Sequence, residues 1–243
     1  TAIPLLLVTV LFGYTVRTTF AIDAPPSQPR DLKVHVIGHR WWWEFRYPDL
    51  GITTANELHI PQGVVVQIDL DSVDVIHSFW VPRLAGKIDV IPGQTNHMWF
   101  KADEAGDFQG HCAEFCGLNH ANMRLHVIAQ SQSEFDAWVA NQQQPPTAPK
   151  TSLQQTGQQI IATGICNNCH TLGDHEALQP IGPNLTHLFS RNTFAGATYP
   201  LNEANLRLWL QHSAEMKPGN DMSSISPSAD QVDALIAYLT TLK

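Results

Sequence analysis

The segment Cys112-Ala-Glu-Phe-Cys116-Gly-Leu-Asn-His120-Ala-Asn-Met123 packs two thiols, an imidazole and a thioether into one short stretch. Thiolate and thioether are soft ligands that select copper or zinc over hard cations. A mononuclear blue-copper site uses one cysteine, two histidines and a weak axial methionine. This segment has one cysteine too many for that and one histidine too few. The surplus thiolate makes sense if two copper ions share both sulfurs as bridges, with a second histidine supplied from elsewhere. His77, at the end of an apolar strand facing a loop, is the best candidate. Two other readings use the same residues. His77, Cys112, Cys116 and His120 would make a structural zinc set, which leaves Met123 unexplained. A Cys112–Cys116 disulfide would leave both histidines idle.

The second thiol pair has different chemistry. Cys166-Asn-Asn-Cys169-His170 has the spacing of covalent haem attachment: two thiols add to the two vinyl groups of one haem, and the next histidine reaches the iron. The sixth iron ligand should be a methionine, which raises the potential. The four cysteines are thereby used up, leaving none to bridge domains. His59, His97, His111 and His126 read as ordinary strand or loop histidines. His111 should point away from the face that carries Cys112 if the strand continues there.

Three kinds of element must position these groups. Residues 1–22 are uncharged as far as Val16 and apolar again after Arg17. Helix over that length spans ~33 Å, enough for a hydrocarbon core with Arg17 snorkelling to the interface. A signal peptide is the alternative, but its positive charge should precede the apolar run, not follow it. The chain starts at Thr1 rather than Met and so reads as processed or truncated. A polar, proline-rich connection follows at 23–30. The runs 33–37, 64–70 and 95–100 are β-branched and aromatic, with turn signals at Pro61-Gln62-Gly63 and Pro92-Gly93. They predict a β-sandwich or barrel over 31–142, closed by a short helix at about 132–142.

Residues 143–151 read as a proline-stiffened linker that spaces two domains rather than packing between them. Beyond it, 152–243 reads as helix throughout. Ser152 and Gln155 offer a capping box for the helix leading to Cys166. A second helix covers about 203–213, with Leu206, Trp209 and Leu210. The last has Ser226 as its cap and Pro227 at its first position, with Val232, Leu235, Ile236 and Leu239 on one face. The net charge of -8 argues against a nucleic-acid partner, and charged residues at 15% are too few for a disordered chain.

With His77-Ser-Phe-Trp and Cys112-x-Glu-x-Cys116-x-x-x-His120-x-x-Met123 in hand, the chain resembles the copper A domain of cytochrome c oxidase subunit II. The resemblance implies a cupredoxin-like fold in which Cys112 and Cys116 bridge two coppers and His77 and His120 are terminal ligands. Met123 and the backbone carbonyl of Glu114 would be weak ligands, and the Glu114 side chain would reach a magnesium ion at the boundary with subunit I. Of the aromatic run Trp41-Trp42-Trp43, Trp41 takes the family's position for receiving electrons. Alternating strand packing explains Trp42 equally well and Trp43 better. Residues 152–243 resemble class I cytochromes c: Ile181-Gly182-Pro183-Asn184-Leu185 stands where that family's proline carbonyl accepts from the proximal imidazole, here His170. Met222 matches the family's ligand loop, with Met216 as the rival. Gly157 and Tyr238 fit the crossing of first and last helices.

Together the motifs are similar to oxidase subunits with a cytochrome fused on, the caa type. Residues 1–22 then correspond to the second helix of the family's hairpin. The first helix and an acidic residue upstream are not in this sequence, so no proton-path role is expected of this piece. The implied function is a relay from an external donor, a cytochrome or a quinol:cytochrome c reductase-type complex, to haem c, to copper A and on to the catalytic subunit that reduces oxygen. The alternative is the same electron-entry role in a nitric or nitrous oxide reductase; a quinol-oxidase relative with a non-redox scaffold does not suit two complete ligand sets. The implied location is the bacterial cytoplasmic membrane, with both globular domains on its outer, periplasmic side.

Overall fold

The structure, a computed structural model, describes residues 2–23 and 31–243. The proline-rich connection expected after residue 23 lies outside the described residues.

Helix α1 (Ala2–Asp23) is apolar from Ala2 to Ile22, and its span buries nothing against the rest of the chain. Its threonine hydroxyls are satisfied internally. The hydroxyls of Thr9, Thr15, Thr18 and Thr19 donate to carbonyls four residues back, at 2.9–3.0 Å, as a helix in lipid requires. The indole N–H of Trp99 donates to the Ile22 carbonyl at 2.7 Å, beside the first globular unit.

Ten strands follow: β1 (Leu32–His39), β2 (Trp42–Tyr47), β3 (Ile52–Ala55), β4 (Glu57–Pro61), β5 (Val65–Ser72), β6 (His77–Trp80), β7 (Ile88–Val90), β8 (Asn96–Lys101), β9 (Gly106–Cys112) and β10 (Arg124–Gln130). They form two five-stranded sheets, ordered β3-β2-β1-β5-β8 and β4-β10-β9-β6-β7. The pairs β1–β5 and β4–β10 are parallel and the rest antiparallel. This is the β-sandwich that the β-branched runs predict, in the cupredoxin-like form that the resemblance implies. Alternation sets its faces. Along β9, Phe108, Gly110 and Cys112 point in while His111 points out, and along β10, Leu125, Val127 and Ala129 point in. Trp43, Phe45, Leu58, Ile60 and Phe79 fill the space between the sheets. Helix α2 (Gln132–Gln142) closes the unit through a capping box between Ser131 and Glu134.

The second unit is mainly helical. Helix α3 (Ser152–Thr163) is capped by Thr151 with Gln154, one residue before the expected box. Helix α4 (Glu203–Met216) runs three residues past the expected end, across a kink at His212. Helix α5 (Ala229–Leu239) is capped by Ser228, not Ser226, because Gln231 stands where it can return the bond; Pro227 precedes the cap. Helices α3 and α5 cross at Gly157, where a Cβ would collide with the Ala234 carbonyl and come within 2.9 Å of Tyr238 Cβ. Their packing role stands as expected.

Two expectations fail here. Residues 152–243 are not helix throughout: β11 (Thr193–Phe194) and β12 (Tyr199–Pro200) form a small hairpin. Nor do residues 143–151 merely space the domains. The Gln144 carbonyl lies 3.0 Å from His187 Nε2, Gln143 Nε2 donates to Leu50 O at 2.9 Å, and just before the segment Gln142 Nε2 donates to Ser190 Oγ at 3.1 Å. Proline stiffness sets a segment's shape; glutamine amides and free carbonyls let it bind whatever lies alongside.

Candidate functional site

The end of β9 delivers Cys112 inward, and the loop after it turns back to bring Cys116, His120 and Met123 to the same spot. His77 begins β6 beside β9 and is fully buried. Cys112 Sγ lies 3.7 Å from Cys116 Sγ, 3.9 Å from His77 Nδ1 and 3.2 Å from the Glu114 carbonyl oxygen. Cys116 Sγ lies 3.8 Å from both His120 Nδ1 and Met123 Sδ. The ligand atoms of His77, Cys112 and Cys116 all fall within 4.8 Å of one another. All six sequence-predicted groups therefore converge, and each sulfur has its own imidazole and its own weak donor. Such a donor set fits a pair of soft metal ions bridged by two thiolates.

The electrostatics favour a single thiolate in the metal-free pair. The hydrogen bond from Cys116 is the main reason the Cys112 thiol is held down to about 3, and the same contact pushes Cys116 above the ordinary thiol range. One thiolate thus forms readily and the second needs a metal to displace its proton. Sequence reasoning missed Asp74. Its carboxylate lies 2.8 Å from His77 Nε2 and leaves Nδ1 facing the sulfurs; metal-ligating histidines are regularly held this way. An acid three residues before a candidate ligand was the available signal.

Cys166 and Cys169 stand on and just after a 3-10 turn (Ile165–Asn168), with His170 next and nine-tenths buried. His170 Nδ1 donates to the Pro183 carbonyl at 2.8 Å, the contact the resemblance implies. All three border a cavity of about 510 Å³, lined also by Ile161, Leu206, Leu235 and Met222. Met222 lines this cavity and Met216 does not. Arg191, missed in the sequence, is buried on the same wall; its Nη2 donates to Asn184 O at 2.6 Å, while its Nε has no partner among the described residues. An apolar cavity with two thiols, an oriented imidazole and an unmet cationic donor fits a haem bearing carboxylates.

The two sites meet at the tryptophan run. Trp41 is half-buried, donates its indole N–H to the Cys116 carbonyl at 2.9 Å, and lines the second cavity. Trp42 stacks on His39 with centroids 4.1 Å apart and donates across the boundary to Ile181 O at 3.1 Å. Trp43 is buried core, edge-on to Phe79.

Comparison with known proteins gives two family matches: residues 50–130 match cytochrome c oxidase subunit II, periplasmic domain, and residues 154–243 match cytochrome c. "Cytochrome c oxidase subunit 2" of Alkalihalophilus pseudofirmus is 38% identical over 248 residues, covering 100% of this chain and 72% of that protein. The protein of the same name from Bacillus sp. (strain PS3) is 35% identical over 260 residues, covering 100% and 73%. A crystal structure of the periplasmic domain of subunit II of cytochrome oxidase from Bradyrhizobium japonicum matches at 32% identity and TM-score 0.47, over 49% of this chain and 96% of that one.

Proposed function

The chain belongs to the cytochrome c oxidase subunit II family, with a cytochrome c domain following the copper A domain, and from that premise we propose that it is the electron-entry subunit of a haem–copper oxidase. Electrons enter at the cytochrome domain, cross to the copper loop and leave for the catalytic subunit, where oxygen is reduced. When bound, the haem and the copper pair supply reversible one-electron chemistry. This chain's residues hold, orient and enclose those groups; none acts as general acid, base or nucleophile.

In this reading Cys166 and Cys169 would anchor the haem, and His170 and Met222 would supply the side-chain ligands to its iron. Pro183 keeps the imidazole oriented through its carbonyl. Cys112, Cys116, His77, His120, Met123 and the Glu114 carbonyl would hold the copper pair at a largely enclosed site: His77, Cys112, Cys116 and Met123 are buried and His120 is half-buried. One observation supports a direct route between the two sites. Trp41 borders the haem-sized cavity and is hydrogen-bonded to the backbone of Cys116, so a single side chain touches both sites.

Exposed Val73 and Ile76 lie before His77, and exposed Phe115 lies between the two copper-loop cysteines. Apolar exposure on the two loops that supply the ligands suits a docking face for the catalytic subunit. The Glu114 carboxylate is exposed on the same loop, and we assign it a magnesium ion shared with that subunit. The external donor, a cytochrome or a quinol:cytochrome c reductase-type complex, meets the cytochrome domain. Helix α1 spans the bacterial cytoplasmic membrane, and both globular domains lie on the extracytoplasmic side, where haem attachment and copper loading take place.

The test is Trp41→Leu in the intact oxidase. Haem-to-copper electron transfer should slow by about tenfold or more with both chromophores unchanged. An unchanged rate with intact spectra removes Trp41 from the path.

A further inference from the structure

Two charged side chains cross the domain boundary in opposite directions, and neither belongs to a ligand set. Glu57, in β4 of the sandwich, is 1% exposed. It accepts from the N–H of Asn192 at 2.9 Å and from the N–H and hydroxyl of Thr193, each at 2.7 Å, in the cytochrome domain. Lys217, 4% exposed, opens the loop that leads to Met222. Its ammonium donates to the carbonyls of Trp41 at 2.7 Å and Asn122 at 3.1 Å in the sandwich, and of Ala195 at 2.9 Å in its own domain. An ammonium has three donors, and all three are used. A buried charge is tolerated only with its hydrogen-bonding capacity filled. For both residues, most of that capacity is filled from across the boundary.

Between them lies the turn of the β11–β12 hairpin. Ala195, Gly196 and Ala197 have φ of 55°, 74° and 53°, a left-handed run that is sterically unfavourable for the two alanines. The turn fits its socket closely. The Gly196 carbonyl accepts from the Arg124 N–H at 2.9 Å, and the Thr198 hydroxyl donates to Asn122 O at 3.1 Å. A Cβ on Gly196 would lie 2.5 Å from Lys217 Nζ and 2.7 Å from the carbonyl oxygens of both Asn122 and Trp41. Asn119, on the copper loop, adds a bond to the Pro218 carbonyl.

We propose that Glu57, Lys217 and the Gly196 turn are positioning elements that seat the cytochrome domain on the copper domain in one fixed pose, so that electrons pass along a preset route rather than through a tethered encounter. This deepens the electron-transfer reading above and rests on it. Trp41 shows what the seat does. Its indole N–H is bound to the copper loop and its backbone carbonyl to Lys217, so the residue that touches both sites is gripped from both sides. The adjacent Trp42 bond to Ile181 O ties the start of β2 to the segment facing His170.

The full chain, loaded with copper and haem, provides the test. After flash reduction of the haem, the rate of copper reduction in wild type should not change as glycerol raises the viscosity. In Lys217→Met and Glu57→Gln it should fall by about tenfold or more and become viscosity-dependent. Hydrogen exchange on the same samples reads the seat without electron transfer: amides of 192–199 should be protected in wild type and exchange about tenfold faster in both variants, with β9 and β10 interiors unchanged. A wild-type rate that falls in proportion to viscosity, or variants that leave 192–199 as protected as before, overturns the fixed pose. If wild type passes no electron from haem to copper, the functional reading falls instead, and exchange alone judges the seat.

Discussion

The copper loop and the haem turn use the same two residue types and place them in opposite ways. His77, Cys112, Cys116 and Met123 are buried at the ends of strands and in the loop those strands brace, within a core supplied by the sandwich itself. Cys166 and Cys169 stand half-buried at a 3-10 turn, over a cavity whose far wall includes Arg40, Trp41 and Trp42 of the other domain. Metal ligands must be spaced to a fraction of an ångström before binding, and a sheet does that. A covalently anchored cofactor needs only reachable thiols, because the bond then fixes it and its apolar bulk completes the core. The copper half should therefore fold without its metal, and the cytochrome half should depend on its haem.

Removing the haem anchors is the strongest way to break this contrast. Cys166→Ala with Cys169→Ala should abolish covalent haem and unfold 152–243, seen as lost helix and rapid proteolysis there, while the copper absorption survives. Full helix content without haem contradicts it. Cys116→Ser should abolish the dinuclear copper signal yet shift the stability of the metal-free sandwich by only about 1 kcal/mol, read by urea denaturation; collapse of the sandwich would mean that its core does depend on metal. Met222→Leu sharpens the haem side: the methionine–iron band should vanish at a stability cost below about 1.5 kcal/mol. Loss of the band in Met216→Leu instead would assign the ligand to the rival.

The smallest effect concerns acid stability of the sandwich. Burial alone would raise the Glu44 pKa, but hydrogen bonds from His39 and Arg46 outweigh it, and the carboxyl sits below its ordinary value of 4.5. A carboxyl depressed on folding binds fewer protons in the native state than in the unfolded chain. Its stabilising contribution is complete above about 4.5 and is lost as pH falls through the lower native value. Glu44→Gln should flatten the acid limb of the sandwich's stability curve below that pH. An unchanged limb assigns the acid sensitivity to other groups, Asp74 first: burial would raise its carboxyl, but hydrogen bonds from His77 and the Val75 and Arg40 backbone outweigh it and hold it below its ordinary value.

How legible each feature was follows from how local its cause is. The two Cys clusters and His170 could be read because ligand chemistry is written in short spacings, and His77 could be added because a strand end is visible as an apolar run. Alternation along β9 was enough to send His111 outward and Cys112 inward. The caps at Thr151 and Ser228 were missed by one or two residues, because neighbouring serines and glutamines offer overlapping boxes and packing chooses among them. Glu57, Lys217, Arg191 and the Trp42 contact left no trace in the sequence. Glu57, Lys217 and Trp42 each meet a partner across a fold boundary, Trp41 and Lys217 being 176 positions apart, and a lone buried charge such as Arg191 gives no periodic signal of where it is buried. The same blindness made residues 143–151 look like a free spacer.

The most direct test of the central claim is the electron paramagnetic resonance spectrum of the oxidised chain, with metals and haem quantified on the same sample. The expected result is one unpaired electron shared by two equivalent copper nuclei, with two coppers and one covalently bound haem per chain. A mononuclear copper signal, zinc in place of copper, or haem that extracts into acid solvent contradicts it.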